Sequence, residues 1–137
     1  MDDPRLDAPS HHTALDGLDR INRLSRSART LVSGVRRVLG KNVDASVLDV
    51  ATGSGEPAID LTALASRDGM SLRVSACDVS DRALERARAG SAARDAGVDF
   101  FQIDAIRGDP LPETDVVTCS LFLHHLDRDE AVVLLQR

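Results

Sequence analysis

Residues 47–60, VLDVATGSGEPAID, constrain the fold more than any other stretch. The apolar run at 47–51 suits a buried strand. Gly53 and Gly55 then permit backbone angles that side chains forbid. Pro57 stands where the first turn of a helix tolerates proline, and the spacing predicts a helix to about residue 67, with Gly69 just past its end. Strand, bare turn and helix in that order form the opening unit of an α/β sheet.

The same alternation continues downstream. Residues 72–77 read as a second strand. Ser80 or Asp81 caps a helix running to about residue 96, and Gly97 ends it. Residues 98–103 form a third strand, and 104–115 a loop carrying Pro110 and Pro112. Residues 116–121 form a fourth strand, and Asp127-x-x-Glu130 has the form of a capping box opening a last helix through Leu135. Upstream, Leu15, Leu18, Ile21, Leu24, Ala28, Leu31, Val35 and Val38 recur every three or four positions, so about 12–39 is amphipathic helix, with a break near 25–27 and Gly40 as its stop. Residues 1–10 read as a loose tail. Strands alternating with helices imply parallel pairing through right-handed crossovers. The expected fold is therefore an open, Rossmann-like parallel α/β sheet with an N-terminal helical extension. Residues 1–40 form the tail and extension, and 41–137 the sheet domain.

The 137 residues suit one domain, and a net charge of −5 disfavours a general nucleic-acid or anionic-membrane surface. No run approaches the ~20 apolar residues of a membrane span. The N-terminus MDDPRLDAPSHH is too acidic and polar for a signal peptide, so a cytoplasmic protein is expected. Cys77 and Cys119 fall in predicted strands and read as buried, reduced thiols. No cysteine or histidine spacing suits zinc, and no metal is expected.

In open parallel sheets a ligand sits beyond the carboxyl ends of the strands. The glycine turn lets a ligand approach the backbone, and the helix N-terminus after it favours a carboxylate or phosphate; a plain strand–helix turn would need the same glycines. Asp78 follows the second strand, where a carboxylate can accept both hydroxyls of a ribose. Asp104 follows the third strand, where it either caps the loop or meets an adenine amino group. GSGEPA also satisfies the loose dinucleotide pattern G-x-G-x-x-G/A, so an NAD-dependent oxidoreductase competes. Charge argues against that reading: Asp49 at the strand end and Glu56 in the turn would repel a diphosphate. The same acids favour a ligand with an ammonium and a sulfonium, which are parts of S-adenosylmethionine.

VLDVATGSGE resembles motif I of class I S-adenosylmethionine-dependent methyltransferases, whose usual form is hydrophobic-L-D-x-G-x-G-x-G. ACDVS resembles their acidic second-strand end, FQIDA their third-strand end, and DVVTCSLFLHHL the fourth strand and turn of small-molecule members similar to quinone-biosynthesis methyltransferases. The resemblance covers about 45–137. It implies that Asp49, Ala51, Gly53 and Gly55 surround the methionyl part, Asp78 holds the ribose, Asp104 and Ala105 lie against adenine, and Cys119 and Ser120 contact the methionine region through backbone atoms. Ala51 departs from the glycine usual there. The resemblance also implies strand order 3-2-1-4, with strands 5-7 of the family fold missing, so strand four becomes a sheet edge that invites association into a homo-oligomer. The two cysteines would then lie about 9–10 Å apart at ~4.8 Å per strand step, beyond disulfide reach.

The implied reaction is direct in-line methyl transfer to a small-molecule acceptor, leaving S-adenosylhomocysteine. His124 and His125 are the candidates for removing an acceptor's proton, since imidazole titrates near neutral pH; the alternative is that one packs under the last helix and the other is solvated. The N-terminal helices could form a lid over the acceptor site or simply pack on the sheet. A chain that binds the cofactor without catalysis, acting by association, is the alternative if strands are missing.

Overall fold

The computed structural model describes residues 27–40 and 44–137. Its elements are α1 (Ser27–Leu39), β1 (Asp44–Val50), α2 (Glu56–Arg67), β2 (Ser71–Asp78), α3 (Asp81–Ala93), β3 (Asp99–Gln102), β4 (Val116–Cys119), a single 3-10 turn (Leu123–His125) and α4 (Arg128–Leu135). The tail and the part of the helical extension before Ser27 lie outside the described residues.

The sheet has the expected order β3-β2-β1-β4, all parallel. Alternate side chains of each strand point to opposite faces. On one face Val47, Val74 and Ala76 pack with Ala58, Ile59, Leu61 and Ala65 of α2 and with Val32 and Val35 of α1. On the other, Leu48, Val50 and Cys77 meet Ala105, with Leu111 and Leu134 packed against them. The described part of the N-terminal extension is thus a packing helix. Arg36 of α1 pairs with Asp68 beyond the far end of α2, at 2.6 Å.

Register is fixed by side chains as well as by the ladder. Asp115, just before β4, accepts the Ser46 amide at 2.8 Å and the Ser46 hydroxyl at 2.7 Å, which sets Val47 against Val116. Val50 then lies between Cys77 and Cys119. Both thiols are free; Cys77 is buried and Cys119 half-buried.

Several boundaries differ from the sequence reading, and β1 begins at Asp44 rather than at Val47. Helix α3 stops at Ala93 because Asp95 takes φ +49° and the Ala96 amide donates back to Ser91 at 3.0 Å, closing the helix before Gly97. Strand β3 is shorter than expected at both ends, and β4 ends at Cys119 because Leu121 adopts φ +58°. Gly40 and Gly69 close their helices with φ +86° and +75°. The capping box forms, with Asp127 accepting from the Glu130 amide at 2.9 Å and Glu130 accepting from the Asp127 amide at 3.1 Å. No helix among the described residues is long and apolar enough to cross a membrane.

Candidate functional site

Parallel strands put the carboxyl ends of β1, β2 and β4 side by side, and the turn after β1 lies among them. Ala51, Gly53 and Gly55 take φ of +55°, +60° and +81°. The turn is held by the Thr52 amide donating to the Cys77 carbonyl at 3.0 Å and by the Gly55 amide donating to the Thr52 carbonyl at 3.1 Å. Asp78 completes the frame. Its Oδ2 accepts the Gly53 amide at 2.8 Å and its Oδ1 the Ser80 amide at 2.9 Å.

The two glycines do different work. A Cβ on Gly53 would meet nothing within 4 Å, so the backbone there faces open space. A Cβ on Gly55 would stand 2.7 Å from the Ala87 Cβ and 3.0 Å from the Phe100 ring. Gly55 is therefore required where the turn packs on α3, and it offers no side chain to cap α2.

Asp49 is 1% exposed, on the helix-covered face of β1. The Thr118 hydroxyl donates to its Oδ1 at 2.8 Å. Its Oδ2 has no hydrogen-bond partner among the described residues, and neither does the buried Thr52 hydroxyl. Burial pushes the Asp49 carboxyl up to about 6; Asp78 adds a small push the same way, and the nearby hydroxyls of Thr52 and Thr118 oppose both. Thr52 acts here by proximity alone, because its geometry falls outside a hydrogen bond. Burial likewise holds both cysteine thiols up at about 11, so they are neutral at physiological pH.

Glu56 corrects the charge argument drawn from the sequence. Its carboxylate is paired with Arg94 at 3.0 Å, and Arg94 also binds Asp60. A guanidinium 38 residues away in the chain compensates the acid in the turn, so the anionic character of the site rests on Asp49 and Asp78.

Asp104 caps its own loop: Oδ1 accepts the amides of Ile106 at 3.0 Å and Arg107 at 2.9 Å. Ala105 is buried, and its carbonyl accepts from Arg137 at 2.8 Å. Cys119 and Ser120 lie half-buried at the end of β4. His124 and His125 are both exposed, with ring centroids 4.0 Å apart, and neither packs under α4. Thr52, Thr118 and Arg94 were not anticipated. Thr118 stands beside Asp49 only through the β1–β4 register, which the sequence did not supply.

A family model described as a methyltransferase domain matches residues 47–137. No curated protein matches the chain. Among solved structures, the chain is similar to the mitomycin 7-O-methyltransferase MmcR (19% identity, TM-score 0.74, covering 96% of this chain and 36% of that one). It is also similar to a putative S-adenosyl-L-methionine-dependent methyltransferase from Methanococcus maripaludis (15%, TM-score 0.70, 91% and 57%). A third is the YcgJ protein from Bacillus subtilis (21%, TM-score 0.63, 82% and 45%). These likenesses show the fold, and the chain spans roughly half or less of their length.

Proposed function

Because the chain belongs to the methyltransferase-domain family, we propose that it transfers a methyl group from S-adenosylmethionine directly to a small-molecule acceptor. The cofactor is S-adenosylmethionine and the spent form is S-adenosylhomocysteine. The observation that carries this reading is the orphaned pair beside the turn: Asp49 Oδ2 and the Thr52 hydroxyl, both buried without partners among the described residues. A buried carboxylate left unpaired is costly, and a cationic ligand group beside it removes that cost. The open space over Gly53 leaves room for such a ligand against the backbone. Residues and cofactor therefore fit.

When bound, the cofactor supplies an electrophilic methyl carbon on a positively charged sulfur. The chain's task is alignment and exclusion of water. In this reading Asp49, Ala51, Gly53 and Gly55 surround the methionyl part, Gly55 by fixing the turn on α3. Asp78 keeps the turn closed through Gly53 and has lone pairs left for the ribose hydroxyls. Asp104 orders the loop that brings Ala105 against adenine. Cys119 and Ser120 contribute backbone atoms at the end of β4. His124 or His125 removes the proton from a phenol, enol or amine acceptor.

A second reading is a cofactor-binding chain that acts by association. Val117 on β4, an edge strand of the described sheet, is 53% exposed, and Val132, Val133 and Leu135 of α4 are 45%, 42% and 74% exposed. Two copies of the chain would pair along this edge. Transfer of labelled methyl from S-adenosylmethionine to a panel of phenols, enols and amines separates the readings. Label in any acceptor supports the enzyme; cofactor binding without transfer across the panel favours association.

A further inference from the structure

Asp49 is the buried acid of the site, and no cationic group among the described residues compensates its charge. The arrangement around it is specific. Thr118 of β4 donates to one oxygen, and the other oxygen and the neighbouring Thr52 hydroxyl are buried and unpartnered. The titratable groups packed around it are Asp78 and Cys77 of β2 and Cys119 of β4, none of them cationic. Glu56, in the helix that follows the turn, is held by Arg94. No arginine or lysine among the described residues pairs with Asp49.

We infer that Asp49 selects for positive charge in the ligand, and that it does so by giving up a proton as the cationic part of S-adenosylmethionine arrives. This rests on the cofactor reading above. In the empty protein the buried carboxyl is readily protonated, and Thr118 supplies a hydroxyl that serves either form. The ligand's ammonium and sulfonium favour the carboxylate alone. Binding therefore moves one proton from the Asp49 carboxyl to solvent at acidic pH. A neutral ligand gives no reason for the proton to leave, and an anionic one meets a repulsion that grows with pH.

The test is calorimetric titration with S-adenosylmethionine from pH 5 to pH 7, in pairs of buffers with different ionisation heats. The expected result is net proton release at pH 5–6, with affinity falling about tenfold per pH unit below pH 6. Asp49→Asn should bind more weakly at pH 7 and lose both the proton release and the pH slope. Adenosine, which carries neither cationic group, should bind the natural chain with no proton release. Should Asp49→Asn fail to fold, the carbon-13 shift of the Asp49 carboxyl in the natural chain reads the same event, and its titration midpoint should fall when the ligand is added. Flat affinity between pH 5 and 7, or a midpoint unmoved by ligand, overturns the inference while leaving cofactor binding intact. Absence of binding at every pH overturns the cofactor reading and this inference together.

Discussion

The Asp78 carboxylate accepts the Gly53 amide at 2.8 Å, so the end of β2 holds the turn that follows β1. One acid thus supports the bare backbone beside the open space, and the same acid is the one assigned to the ribose. Asp78→Ala should weaken S-adenosylmethionine binding by about 1–3 kcal/mol, the scale of losing a charged hydrogen-bonding partner. It should also raise hydrogen exchange at the Gly53 amide. Calorimetry reads the first and amide exchange by NMR the second; unchanged affinity would remove the ribose assignment.

The glycines separate packing from binding. Gly55→Ala places a methyl 2.7 Å from the Ala87 Cβ at φ +81°, so destabilisation on the order of 2–4 kcal/mol is expected from overlap and left-handed strain together. Gly53→Ala meets no atom and should cost only the strain, about 1–2 kcal/mol, while reducing cofactor affinity more than Gly55→Ala does among the folded molecules. Urea unfolding and ligand titration of both variants check the contrast.

Ala51 occupies a left-handed conformation, φ +55°, where glycine is the unstrained residue. Ala51→Gly should stabilise the chain by up to about 1 kcal/mol, the relief of strain being partly offset by the freer unfolded chain. Loss of stability in urea denaturation would show that the methyl of Ala51 makes packing contacts worth more than the strain.

Asp49 also sets a pH dependence of stability. Its folded carboxyl sits at about 6, above the ordinary 3.8, so folding is favoured by protonation. That contribution is complete below pH 3.8 and is lost as pH rises through 6. Asp49→Asn should therefore be more stable than the natural chain at pH 7.5, by on the order of 2–3 kcal/mol, with the difference shrinking towards pH 4. Thermal unfolding of both proteins across this range checks the sign. The same substitution should weaken cofactor binding, so stability and function pull in opposite directions at this residue.

Much of the architecture was legible because its signals are local. The change from helical to strand spacing at residue 47, Gly69 past α2, and the Asp127 and Glu130 pair at α4 each report on their neighbours in the chain. The strand order followed from the resemblance carried by the four strand ends. What the sequence hid depends on contacts between distant residues. Glu56 looks like a free anion until Arg94 is placed beside it. Gly55 looks like a ligand-facing glycine until Ala87 is found against it. The end of α3 went unread because Asp95 takes the left-handed turn that closes the helix, two residues before Gly97 takes its own. Asp49 was legible as a candidate site residue, but its unpaired oxygen was visible only once Thr118 had been placed by the β1–β4 register.

The most direct measurement is a calorimetric comparison of S-adenosylmethionine and NAD on the same protein at pH 7.5. Saturable one-to-one binding of S-adenosylmethionine, with no binding of NAD, is the expected result. Binding of NAD without binding of the sulfonium compound would contradict the account at its centre.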